Sequence, residues 1–208
     1  MEPLSGRKES LIKHLKESGY LKTPRVMRAF QEVKRELFIP KGMRQHAYAD
    51  QPLPIGEGQT ISAPHMVAMM TELLEPSKGD RVLEVGAGSG YQAAILSRLV
   101  KKVYTVELEK NLAEKASRAL EKAGYTNVEI RVGDGSGGWK EHAPFDKVMV
   151  TCASPEIPQP LVDQLKEGGI MAIPVGGSWQ QELIIGRKKN GKLLKERHGG
   201  CVFVPLRH

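Results

Sequence analysis

Cysteine is nearly missing from this 208-residue chain: Cys152 and Cys201 are the only two. Two such separated cysteines build neither a disulfide framework nor a metal-type spacing, so a disulfide-stapled secreted scaffold and a bound metal are both unexpected. Long apolar runs are missing too. None approaches the roughly 18–20 residues of a membrane span, and no signal-peptide pattern opens the chain. A cytoplasmic protein with no membrane partner is the expectation. Aromatic residues make up 5% of the chain, too few for an array on which nucleic-acid bases stack. No internal repeat or low-complexity tail appears.

What the chain does have is positive charge, +7 from 31 basic and 24 acidic residues. Such an excess invites a nucleic-acid reading. The basic residues are dispersed, however, and the densest group, Arg187 to Lys189 with Lys192 and Lys195, flanks a turn signal. A solvated surface, or a preference for carboxylate-bearing substrates, accounts for that dispersal better than a nucleic-acid partner. The length fits one domain.

The organising stretch is R-V-L-E-V-G-A-G-S-G-Y, Arg81 to Tyr91. It reads as a buried strand, Arg81 to Val85, a glycine-rich turn, and a helix over Gln92 to Val100. Gly86, Gly88 and Gly90 permit a sharp turn and close approach of a ligand, and the helix start offers unpaired N–H groups. The prediction is a nucleotide-type pocket at the end of a first parallel strand. A dinucleotide site shows G-x-G-x-x-G; here Tyr91 stands where the third glycine would be. Glu84 would repel a pyrophosphate but could hold an ammonium group. The combination resembles motif I of methyltransferases that use S-adenosylmethionine (AdoMet), and a dehydrogenase fits poorly.

Downstream, the β-branched run Lys102 to Val106 ends in Glu107, near the spacing at which a carboxylate takes ribose hydroxyls. The alternative is an acid complementing the dipole of a helix over Lys110 to Ala123. Val128 to Val132 reads as a third strand. Asp134, between glycines behind it, suits an acceptor for an adenine amine or a plain turn. Phe145 to Thr151 is a fourth strand, and the proline-rich loop Cys152 to Pro160 follows on the same edge. Cys152 reads as a buried filler, since no basic neighbour activates it. A short helix, Leu161 to Leu165, leads to a strand over Ile170 to Val175. Asn190-Gly191 then joins Glu182–Lys188 to Lys192–Glu196 as a hairpin, and Cys201 to Leu206 is a last strand. The pattern is α/β: a doubly wound, Rossmann-like sheet, mostly parallel, with an antiparallel C-terminal edge. Asn190-Gly191 is also sterically open, so slow isoaspartate formation in the chain itself is expected there.

Upstream, helices over Glu9–Glu17, ending at Gly19, and Pro24–Val33 form an N-terminal helical cap. Gly42 to Gly58 reads as a long loop, a kind often functional. Residues 1–58 are thus cap and loop, and 59–208 the cofactor-binding core of a single domain. In Q-T-I-S-A-P-H-M, Gln59 to Met66, Ser62 suits the N-cap of an apolar helix reaching Leu74, with Pro64 in the first turn. His65 alone reads as a packed or surface histidine.

Taken together, E-V-G-A-G-S-G-Y (Glu84 to Tyr91), Glu107, R-V-G-D-G (Arg131 to Gly135), R-E-L-F-I-P (Arg35 to Pro40), Q-T-I-S-A-P-H-M and F-V-P-L (Phe203 to Leu206) resemble the protein-L-isoaspartate O-methyltransferase family along nearly the whole chain. Q-T-I-S-A-P-H-M, together with the preceding R-E-L-F-I-P, is the discriminating piece. The resemblance implies methyl transfer from AdoMet to the α-carboxylate of L-isoaspartyl residues in damaged proteins or peptides; a monomer is the separate expectation for the assembly. It implies Ser62 as the active-site residue and cofactor contacts at Gln59, Thr60, Ile61, Ser62 and His65. Gly86, Gly88, Gly90, Glu107 with Leu108, Asp134 and Gly135 complete the implied cofactor site. It also implies a switched order of the last strands, which periodicity does not reveal. The rival readings are an AdoMet enzyme acting on RNA or a small molecule, and a non-catalytic binder.

Overall fold

The computed structural model describes residues 3–177 and 179–208. Two N-terminal helices, α1 (Leu4–Glu17) and α2 (Pro24–Glu32), pair with each other. Helix α1 ends at Gly19, whose φ of +75° is the left-handed conformation expected just past a helix terminus. Thr23 caps α2 by accepting from the Val26 N–H.

The expected loop over Gly42 to Gly58 is instead structured. It holds a 3-10 turn, Lys41–His46, and the first strand of a hairpin, β1 (Leu53–Gly56) with β2 (Gln59–Ile61). Glu57 and Gly58 link them with φ of +52° and +67°, the two positive values that a two-residue hairpin turn demands. Helix α3 (Pro64–Leu74) follows at once.

The main sheet contains β3 (Arg81–Val85), β4 (Lys102–Glu107), β5 (Val128–Val132), β6 (Phe145–Val150), β7 (Leu165–Gly176), β8 (Gln181–Lys189) and β9 (Lys192–Cys201). Their order is β5-β4-β3-β6-β7-β8-β9. The first five neighbours run parallel, and β8 and β9 add antiparallel pairs. The last strands thus form a meander, each beside its predecessor. The last strand expected over Cys201 to Leu206 does not exist as such. β9 ends at Cys201, and residues 202–206 leave the sheet edge to bridge Ala153 through Pro205. Gln181 redirects them: its Oε1 accepts the Phe203 N–H, and Pro205 has no N–H with which to continue a ladder.

Strand alternation sorts side chains onto two faces. Val82, Met149, Ile170 and Ala172 join the apolar cluster shared with α1, α2 and α3, α4 (Tyr91–Ser97) and α5 (Lys110–Lys122). Leu83, Val85, Val148, Val150 and Ile173 face the other cluster, covered by Trp139 and the short α6 (Gln159–Gln164). Among the described residues, no helix is long and apolar enough to cross a membrane, and no group of three or more metal-ligating side chains gathers.

Candidate active site

A cleft lies at the C-terminal ends of β3 and β4, with about 860 Å3 of empty space when the part open to solvent is counted. Its floor is the glycine turn. Gly86 has a φ of +96°, and a Cβ there would stand 2.6 Å from Thr151 Oγ1. That hydroxyl donates to the Gly86 carbonyl at 2.6 Å, so the turn is pinned from β6. Gly88 faces the cleft, and the nearest atom to a Cβ there is Ile55 Cδ1 at 3.5 Å. The β1–β2 hairpin therefore roofs the turn, tied to α5 by Asn111 Nδ2 donating to Glu57 Oε1 at 3.2 Å.

Gln59, Thr60, Ile61 and Ser62 form one wall; Gly86, Gly88, Glu107, Leu108 and Gly135 belong to the floor and opposite side. Glu107 is buried, and its carboxylate accepts the Gly88 N–H at 2.7 Å and the Glu109 N–H at 3.0 Å. Each oxygen keeps a lone pair for a further donor. The third wall joins Thr151 and Cys152, at the edge where the loop from Cys152 is expected, to Phe203 to Arg207, which no sequence signal places there. Arg207 fastens it by an ion pair to Glu109 at 2.8 Å. The F-V-P-L tail carried a sequence signal, but nothing in it showed that the segment folds back. Burial pushes the Cys152 thiol up to about 12, in keeping with a filler.

Ser62 does not cap α3. The cap residue is Ala63, and the His65 N–H is taken by Asp50 Oδ1 at 2.8 Å. His65 Nδ1 also lies 2.9 Å from that oxygen, and the ring packs on Tyr20 at 5.3 Å. His65 thus serves the cap and is not among the cleft-lining residues. With α3 capped from elsewhere, Ser62 is half-buried on the cleft wall.

Three further expected residues lie off the wall. Gly90 supports packing: a Cβ there would meet Ala116 Cβ and Leu120 Cδ1 at 3.2 Å, so its glycine brings α4 against α5. Asp134 is exposed and accepts the Ser136 N–H at 2.8 Å, the plain turn arrangement. Glu84 does not face the cleft, because alternation turns it into the helix-covered layer on the side of Val82. It is 0% exposed, and neither carboxylate oxygen has a hydrogen-bond partner among the described residues. Burial pushes the Glu84 carboxyl up to about 8, with the nearby Glu107 charge adding and the Thr105 hydroxyl offsetting part. Enclosed in this way, Glu84 is not among the cleft-lining residues.

The cleft suits AdoMet by its donor set: buried Glu107 for hydroxyls, a backbone floor at Gly86 and Gly88, and apolar walls at Ile61, Met70, Leu108 and Phe203. No Lys lines it and Arg207 is engaged by Glu109, as befits a cofactor without phosphate.

Comparison with known proteins agrees. Residues 6–208 match the family described as protein-L-isoaspartate(D-aspartate) O-methyltransferase. A protein-L-isoaspartate O-methyltransferase of Methanopyrus kandleri is 50% identical over 204 residues, covering 96% of this chain and 90% of the relative. A solved protein-L-isoaspartate O-methyltransferase superposes with a TM-score of 0.88 at 33% identity, over 97% of this chain and 66% of the longer one. A Plasmodium falciparum structure, described as a beta-aspartate methyltransferase in complex with S-adenosyl-L-homocysteine, gives a TM-score of 0.85 at 29% identity, covering 95% and 97% of the two chains. By sequence and by superposition together, this chain belongs to the protein-L-isoaspartate(D-aspartate) O-methyltransferase family.

Proposed function

We infer that this chain, as a single domain, methylates the α-carboxylate of L-isoaspartyl residues in damaged proteins and peptides, using AdoMet. The observation that carries the residue assignment is the placement of Ser62 on the wall facing the glycine turn and Glu107.

Bound AdoMet supplies an electrophilic methyl group on a sulfonium. A peptide carboxylate has an unperturbed pKa near 3.5, so at pH 7 it is already a nucleophile. No general base is required. The protein's contribution is alignment, which can supply roughly 7–11 kcal/mol, and exclusion of water. Glu107 takes ribose hydroxyls while holding Gly88; Gly86, Leu108 and Gly135 line the cofactor's side; Gln59, Thr60 and Ile61 close over it. Ser62 donates its hydroxyl to the acceptor carboxylate. The enzyme works as a monomer in the cytoplasm, where its two buried free thiols stay reduced.

The test uses labelled AdoMet and two peptides identical except for L-isoaspartate or L-aspartate at one position. Base-labile methyl ester on the isoaspartyl peptide alone is expected. Transfer to neither peptide, with AdoMet still bound, would move the assignment to RNA or small-molecule acceptors.

A further inference from the structure

Arg35 is fully buried at 0% exposure, yet among the described residues no carboxylate hydrogen-bonds to it, and Asp50 acts on it only through space. Its Nη2 donates to the Ser62 carbonyl at 2.9 Å, and its guanidinium carbon lies 4.9 Å from the centre of the Tyr91 ring. Nε and Nη1 have no hydrogen-bond partner among the described residues. Burial pulls the guanidinium below its ordinary value, with Tyr91, Asp50 and Tyr48 offsetting part, but an arginine stays charged. Burying a cation without a carboxylate works against stability. The residue is therefore poorly explained as a fold-stabilising contact.

Its contacts point elsewhere. Ser62 and Tyr91 both line the cleft, on the hairpin wall and at the start of α4. The guanidinium sits behind both and touches each. We propose that Arg35 is a positioning residue that sets the distance between the acceptor side at Ser62 and the cofactor side at Tyr91. The Ser62 segment is then held at three points: the Ile61–Leu53 pairing of the hairpin, Asp50 on the His65 N–H, and Arg35 on the Ser62 carbonyl. The first two fix the chain on either side of Ser62. Among the described residues, Arg35 alone fixes Ser62 itself through a side-chain hydrogen bond, and its planar fork meets a carbonyl edge and a ring face together. This proposal rests on the role given to Ser62.

The experiment measures methyl transfer to the isoaspartyl peptide with Arg35→Met, Arg35→Lys, Ser62→Ala and the Arg35→Met/Ser62→Ala double variant. Arg35→Met keeps the stem without the charge, and should unfold at no lower urea concentration than the parent. Its kcat should fall about 10- to 100-fold, the loss set by a shift of order 1 Å in the reacting partners. Its KM for AdoMet should stay within about twofold, the margin of independent effects. Arg35→Lys, which lacks the fork, should not restore kcat, and it replaces Arg35→Met in the comparison if that variant does not fold. In the Ser62→Ala background the further loss should shrink to within about twofold. Full kcat in folded Arg35→Met, beside an impaired Ser62→Ala, overturns the proposal alone. Equal losses in both backgrounds overturn it as well, because Arg35 would then act without Ser62. A fully active Ser62→Ala removes the role given to Ser62, and this proposal with it.

Discussion

Glu107 Oε2 accepts the backbone N–H of Gly88 at 2.7 Å, so the acid assigned to the ribose also holds the turn beneath the cofactor. Glu107→Ala should therefore weaken AdoMet twice over, through a lost acceptor and a loosened turn. A charge-assisted hydrogen bond is worth about 1.5–3 kcal/mol, so the KM for AdoMet should rise at least about tenfold. An unchanged KM in steady-state kinetics would remove Glu107 from the ribose site.

Asp50 supplies the α3 cap from outside the helix. Asp50→Ala should destabilise the protein by about 1 kcal/mol, as capping losses do, or ~2–4 °C in Tm for a chain of this size. Asp50→Asn, which keeps an acceptor, should recover most of it. Thermal unfolding that left Asp50→Ala unchanged would mean the cap is dispensable.

The buried Glu84 makes stability depend on pH. Its folded value of about 8 lies above the ~4.3 of a free glutamate. Between those values the folded state holds a proton that the unfolded chain has lost, so stability falls as pH rises through that window. The slope is about 1.4 kcal/mol per pH unit. Below the window the contribution is fully present, and above it fully lost. Glu84→Gln should flatten this dependence in urea unfolding between pH 5 and 8; an unaltered slope would show that Glu84 is ionised in the fold.

Asn190 and Gly191 form the β8–β9 turn with φ of +53° and +73°. Both of their N–H groups are donated to the Glu167 carboxylate, that of Gly191 at 3.1 Å. Succinimide closure needs the Gly191 nitrogen to lose that hydrogen, and an adjacent carboxylate opposes it. The expected self-damage should thus be slow in the wild type. Glu167→Ala should speed it roughly threefold to tenfold, as loss of an exposed charge-assisted bond of ~1 kcal/mol implies. Peptide mapping of aged protein decides; equal rates would leave Glu167 without a protective role.

Local signals made the sheet legible. β5 falls at Val128–Val132 and β3 at Arg81–Val85, as the apolar runs bounded by turn residues indicated. Failures came where the determinant was distant or atypical. The Glu57-Gly58 turn lacks the usual Asn-Gly or Asp-Gly signal, so the hairpin passed for loop. The cap of α3 sits 15 residues upstream, which no local rule for Ser62 could reveal. Residues 202–206 look like a strand, but Gln181 and Ala153 draw them across the cleft. Glu84 lies beside the glycines in sequence, but strand alternation decides its surroundings and turns it into the layer of Val82.

The strand order also sets a timetable for folding. β7, β8 and β9 close through short turns, whereas β3 and β6, which support the cleft floor, join at Val85 and Val150 across a long excursion of chain. Closing distant contacts is the slower event. We expect pulse-labelled hydrogen exchange during refolding to protect the amides of Ile184 and Ile185 before those of Leu83 and Val85. The reverse order would show that the parallel half nucleates the fold. In the expected order, a partly folded chain carries its antiparallel edge before it can hold a cofactor, so cofactor in the refolding buffer would stabilise the finished enzyme without hastening its first steps.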